Sequence, residues 1–211
     1  MTEPELRALL CELAASLFAR GFSVGSAGNI SARLPDGFLM TPTNSCLGRL
    51  DPARLSRLGA DFAHLSGDRP SKEVFMHRAF YQARGPACGA VVHLHSTHAT
   101  AIACLADAGP QSPIPPLTPY FVMRAGRTVP LVPYYRPGDA AMEPAIAEAA
   151  RGAKAVLLAN HGPVVCGASL ADAVYAAEEL EEAARLALLL RGVPTRTLTP
   201  AQIDDLLQTF G

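Results

Sequence analysis

The run GAVVHLHST, residues 89–97, decides how this chain is read. Its β-branched pair Val91 and Val92, and the alternation of apolar residues with His93 and His95, predict a strand whose side chains point in turn to opposite faces. It passes directly into THATAIACLAD, residues 97–107, which suits a helix. A strand feeding a helix is the natural reading. His93 and His95 then share one face of the sheet and can approach a common cation. By itself an HxH pair is more often two accommodated polar residues than a metal site.

On the N-terminal side, Leu6, Leu9, Leu10, Leu13 and Leu17 recur at helical spacing and predict a first helix that Gly21 terminates. The runs SVGSAGNISARL and GFLMTPTN, with Pro35, Asp36 and Gly37 between them, predict a hairpin. A second helix is expected to begin near Ser71, to run through Phe75, His77 and Phe80, and to end before Gly85-Pro86. On the C-terminal side, prolines at 110, 113, 115, 116 and 119 exclude regular structure. They mark either an ordered loop at a functional surface or a plain connection. VPLVPYY and AKAVLLAN predict strands, with a helix from about 141 to 150 between them. A last long helix is expected over about 170–190, capped by Ser169 and striped by Val174, Ala177, Leu180, Ala184 and Leu188. The tail TPAQIDDLLQTFG is either a short helix covering a neighbour's site or a packed tail.

A chain of 211 residues fits one domain spanning 1–211. Its 18 basic and 19 acidic residues leave a net charge of −1 and no electrostatic footprint for nucleic acid or an anionic membrane. Apolar runs such as AVLLA at 155–159 fall far short of the ~20 residues that span a bilayer. The acidic start and Glu12 within the first helix do not suit a secretory signal, so a cytoplasmic protein is expected. The cysteines, at 11, 46, 88, 104 and 166, form no CxxC pair and are expected to be reduced and mostly buried.

Metal ligation must therefore come from elsewhere. His161, in AVLLANHGP, stands where a hydrophobic strand ends in a Gly-Pro turn, a rigid place from which to present a ligand. With His93 and His95 it makes three imidazoles that suit a borderline cation such as zinc. Glu73 either supplies a carboxylate to that cation or only complements a helix N-terminus. GNIS at 28–31, TPTN at 41–44 and PSKE at 70–73 gather hydroxyls, amides and free backbone N–H groups. They compose either an anion site or ordinary turns and caps.

Taken in order, GNIS, TPTN, PSKE, HLHS and NHG resemble the class II aldolase and adducin-head family over almost the whole chain. The resemblance implies a three-layer α/β/α fold with a largely antiparallel central sheet, and a homotetramer with active sites at subunit boundaries. It implies that His93, His95 and His161 hold Zn2+, or another divalent cation such as Mn2+ or Co2+. Glu73 would ligate the metal or shuttle a proton, and Gly28, Asn29, Thr43, Asn44 and Ser71 would cradle a substrate phosphate. Where sugar-phosphate aldolases of the family have a second serine, this chain has Lys72, a further cation that favours a more negative substrate. PSKEVFMHRAFY, HLHSTHATAIACL, PYYRPGD and VLLANHGPVV are most similar to the branch that decarboxylates 3-oxo-tetronate 4-phosphate. That implies a small phosphorylated keto acid as substrate, with aldol cleavage or pentulose-phosphate 4-epimerisation of a sugar phosphate as alternatives. A non-catalytic adducin-like module has no need of all three histidines and Glu73. Tyr120 is the candidate proton donor; packing of the proline loop is its alternative. Lys72 and Arg124 are candidates to meet substrate anions, or else solvated surface cations.

Overall fold

The computed structural model describes residues 1–210. Helix α1, Glu3–Ala19, opens with a capping box: the Thr2 hydroxyl accepts from the Glu5 N–H, and the Glu5 carboxylate accepts from the Thr2 N–H at 2.7 Å. It closes where predicted. Gly21 takes φ of 81°, and the Phe22 N–H reaches back to the Leu17 carbonyl.

Strands β1 (Asn29–Leu34), β2 (Gly37–Met40), β3 (Ser56–Gly59) and β4 (His64–Ser66) follow as an antiparallel meander. The predicted hairpin is present, but residues 23–28 form a loop rather than the start of β1. After α2 (Val74–Arg84) come β5 (Ala90–His93), α3 (Thr97–Ala103), α4 (Pro119–Ala125) and β6 (Leu131–Val132). Then follow α5 (Glu143–Gly152), β7 (Ala155–Leu158), β8 (Gly162–Gly167), α6 (Leu170–Leu189) and α7 (Pro200–Phe210). The eight strands form one sheet in the order β4-β3-β2-β1-β5-β8-β7-β6. Every neighbouring pair is antiparallel except β6 and β7.

Period-two alternation sorts the two faces. Ile30, Ala32, Ala90, Val92 and Val165 point into a core shared with α1, α3, α4 and α6. Val91, Val156, Val164 and Cys166 point into a second core shared with α2 and α5. The result is the expected three layers, helices on both faces of a largely antiparallel sheet.

Four elements had no signal in the pattern. Strands β3 and β4 are short, and β4 is an exposed edge. Helix α4 is only seven residues, set by Pro119 in its first turn and by the Thr118 hydroxyl accepting from the Phe121 N–H. Strand β8 begins at Gly162, so the Gly162-Pro163 pair expected to form a turn opens a strand instead, and the turn lies at residues 159–161. Helix α7 packs against α4 of its own chain through buried Ile203, so the tail is helical and packed. All the cysteines are free, but only Cys88 and Cys166 are buried and Cys104 is exposed.

The start of α3, just past His95, is held from α6. Glu181, 9 % exposed, accepts from the backbone N–H groups of His98 and Ala99 at 2.8 Å and from the His98 ring at 2.8 Å. A carboxylate there satisfies orphan donors at the positive end of a helix. Glu181→Ala is expected to cost about 2 kcal/mol and lower the melting temperature by about 4–8 °C, measured by calorimetry.

Candidate metal centre and substrate cleft

Strand register brings the site together. Asn29 of β1 lies opposite His93 of β5, and Val164 of β8 flanks His93 on the other side. Asn29, Ser31 and His93 all face α2, because their neighbours Ile30, Ala32 and Val92 face the other core. β5 ends at His93, so His95 sits two residues beyond the strand rather than within it. Its ring still turns back onto that of His93, the two Nε2 atoms lying 3.1 Å apart. His161 enters from the turn between β7 and β8, where Asn160 at φ 57° makes the left-handed bend that Asn tolerates. Ligand atoms of the three imidazoles lie within 4.8 Å of one another.

The surroundings of His93 and His161 suit rings that could hold a cation. His93 is wholly buried and donates its Nδ1 proton to the Pro163 carbonyl at 2.9 Å, leaving an unprotonated Nε2 directed at the other two rings. Neither ring nitrogen of His161, 7 % exposed, has a hydrogen-bond partner. Its Nε2 lies 3.4 Å from Glu73 Oε1, without the alignment of a hydrogen bond. Glu73 Oε2 lies 3.6 Å from His93 Nε2. An orphaned buried imidazole is costly unless something absent from the polypeptide satisfies it. Three convergent imidazoles and one carboxylate match the donor set of a borderline divalent cation.

Burial lowers the pKa of all three histidines, that of His93 far below the ordinary range with further help from His161 and His95. Glu73 opposes the shift at His95 and His161. The rings are thus neutral at pH 7, as metal ligands must be. Deeper still, burial, assisted by His93, pushes His77 down to about 3. A group with a depressed folded-state pKa binds more protons when unfolded, so its contribution to stability is present above the unfolded value and lost as pH falls. The metal-free protein is therefore expected to lose stability steadily below pH 6.5, with the His77 part lost between 6.5 and about 3. Denaturant titrations across that range measure it.

The cleft beside His95, about 280 Å³, is lined by Gly28, Asn29, Thr43, Asn44, Ser71, Lys72, Glu73 and His95, together with Pro137 and Gly138. Every loop with anion-binding composition thus opens on one space. Gly28 belongs there for a backbone reason: φ is 80°, and a Cβ would stand 2.8 Å from the His93 carbonyl. Ser71 accepts from the Glu73 N–H at 3.2 Å just before α2, whose positive end faces the cleft. Lys72 is exposed at the rim. The Asn29 side chain is already engaged, donating to Glu73 Oε2 at 2.7 Å and accepting from His77 Nε2 at 2.5 Å. Tyr120 does not line this cleft and is 63 % exposed on α4. Arg124 pairs with Asp172 at 3.3 Å, also outside it.

Sequence reasoning missed the residues behind Glu73. His77, Ser31 and Tyr81 form a hydrogen-bonded group with Asn29. The available signal was Glu73, His77 and Tyr81 at four-residue spacing from the cap of α2 onward, facing Asn29 and Ser31 at two-residue spacing on β1.

A three-layer domain with three converging histidines, a carboxylate and a small-residue cleft defines a known class. The chain belongs to the class II aldolase and adducin N-terminal domain family, whose model matches residues 8–188. Within that family it is 55 % identical over 205 residues to the 3-oxo-tetronate 4-phosphate decarboxylase of Escherichia coli strain K12, covering 97 % of this chain and 96 % of the relative. The crystal structure of YgbL from Klebsiella pneumoniae matches with a TM-score of 0.93 and 51 % identity, over 98 % of this chain and 99 % of that one. An L-fuculose phosphate aldolase of Escherichia coli O6:H1 is 34 % identical, over 90 % of this chain and 86 % of its own. Among the described residues no helix is long and apolar enough to cross a membrane.

Proposed function

We propose that the chain is a divalent-metal-dependent carboxy-lyase that converts 3-oxo-tetronate 4-phosphate to dihydroxyacetone phosphate and carbon dioxide. The observation that carries the reading is the convergence of three imidazoles beside Glu73, with His95 and Glu73 opening on a cleft otherwise lined mainly by small residues, hydroxyls, amides and Lys72. The named relatives supply the substrate, at far higher identity for the decarboxylase than for the aldolase.

His93, His95 and His161 would hold the cation, zinc or another such as manganese or cobalt, with Glu73 beside them. When bound, it supplies Lewis-acid stabilisation of the negative charge that develops on the substrate's ketone oxygen. The rest falls to the protein's own groups. Gly28, Thr43, Asn44, Ser71 and the positive end of α2 hold the phosphate, with Lys72 adding charge at the rim. The substrate carboxylate is β to the ketone, so the carbon–carbon bond breaks with its electron pair moving into an enediolate. Glu73, or a water it orients, delivers a proton to the enediolate carbon. Tyr120 lies outside its own chain's cleft, so its proposed assistance operates across a subunit boundary of a homotetramer. A cytoplasmic location completes the proposal.

Incubation of the zinc-loaded protein with 3-oxo-tetronate 4-phosphate is expected to release carbon dioxide and dihydroxyacetone phosphate in equal amounts. Aldol cleavage of L-fuculose 1-phosphate without any carbon dioxide release from the keto acid would overturn the decarboxylase reading in favour of the aldolase one.

A further inference from the structure

The interface between α2 and the sheet is apolar, built of Phe75, Met76, Phe80 and Val91, except for one string of polar side chains. Tyr81, Ser31, His77 and Asn29 are 3 %, 1 %, 0 % and 4 % exposed. Tyr81 Oη and Ser31 Oγ are 2.9 Å apart, Ser31 Oγ and His77 Nδ1 2.7 Å, His77 Nε2 and Asn29 Oδ1 2.5 Å, and Asn29 Nδ2 and Glu73 Oε2 2.7 Å. The direction of this string follows from elementary chemistry. A carboxylate only accepts, so the Asn29 amide nitrogen faces Glu73 and its oxygen faces His77. His77 must then donate from Nε2 and, being neutral, accept at Nδ1. Ser31 donates to that acceptor, and Tyr81 donates to Ser31. All four hydrogen bonds run the same way and end on Glu73.

The geometry points to Tyr81, Ser31, His77 and Asn29 as a polarised chain that positions Glu73, fixing which carboxylate oxygen is held and leaving Oε1 turned toward His161 and the cleft. Aligned hydrogen bonds strengthen one another in a medium of low dielectric. A string of this kind orients its terminal group more firmly than one isolated bond to Asn29 would. Packing alone offers no reason for it, because apolar side chains of similar volume would fill the same space without needing partners. His77 is the decisive member, since it must donate on one side and accept on the other. None of the three inner residues reaches the cleft, so their action on turnover is through Glu73 alone.

This inference rests on the role proposed for Glu73, and its test separates the two. In the two-bond proton–nitrogen spectrum of the zinc-loaded full-length protein, His77 is expected to be protonated at Nε2 and bare at Nδ1. His77→Leu is expected to lower kcat for 3-oxo-tetronate 4-phosphate about 10- to 100-fold while KM and zinc content hold. His77→Gln, whose amide carries a donor and an acceptor spaced much like the two ring nitrogens, is expected to recover most of that loss. Equal losses in the two variants, or a His77 protonated at Nδ1, would overturn the positioning chain. A wild-type protein inert toward the keto acid would instead overturn the proposed reaction, and the His77 tautomer would still decide the direction of the chain.

Discussion

His95→Ala is expected to lose bound metal and turnover together. His95 is partly exposed at the mouth of the site and its Nε2 stands 3.1 Å from that of His93, so truncation opens the ligand set without cutting into either apolar core. The two remaining imidazoles, His93 at the end of β5 and His161 in the turn between β7 and β8, hold a cation far less tightly than three. Lewis-acid stabilisation of several kcal/mol corresponds to about a thousandfold or more in rate, and that is the expected size of the loss. Metal content by elemental analysis and carbon dioxide release, measured on the same sample, check it. Full activity in a metal-free variant would contradict it outright. The fold is expected to persist, because Leu94 and Val92 on either side of His93 keep their core contacts.

Glu73→Gln separates the two roles open to the carboxylate. The amide keeps the volume and can still accept from Asn29 Nδ2 through its oxygen, so α2 and the hydrogen-bonded string behind it are expected to stay in place. It cannot take up and return a proton near neutral pH. If Glu73 moves the proton that completes the reaction, kcat falls by about 100- to 10,000-fold, the usual range for general acid–base groups. Zinc is retained on the three histidines. A variant that loses zinc but, when resupplied in excess, turns over at the wild-type rate would make Glu73 a ligand and nothing more.

The layer architecture was legible through the family resemblance, and the convergence of His93, His95 and His161 from residue type and position. The long helices declared themselves, α1 by its leucines and Gly21 and α6 by Ser169 and its apolar stripe, and β5, though only four residues, by its β-branched alternation. What escaped was short or held from a distance. Helix α4 has seven residues and depends on the Thr118 cap and the Pro119 start, which no periodicity can reveal. Strand β4 is an exposed three-residue edge without a hydrophobic pattern. Assigning His95 to the strand failed for a local reason, since the chain leaves the sheet after His93 to start α3.

The site shows the same division. His93, His95 and His161 could be joined from residue type and position, whereas Asn29, read as a phosphate contact, has its side chain committed to Glu73 and His77. The register that sets Asn29 opposite His93, on the face that meets α2, puts the side chain within reach of both. Tyr120 illustrates the converse, since its placement outside the cleft of its own chain follows from the short helix that the sequence pattern hides.

The most direct measurement is a titration of chelator-stripped wild-type protein with zinc, following carbon dioxide release from 3-oxo-tetronate 4-phosphate. Activity is predicted to be absent at the start, to rise in proportion to bound metal, and to reach its plateau at a single cation per chain, with dihydroxyacetone phosphate formed in step. Undiminished carbon dioxide release from the stripped protein, or a fully loaded protein that releases none, would contradict a metal-dependent decarboxylase.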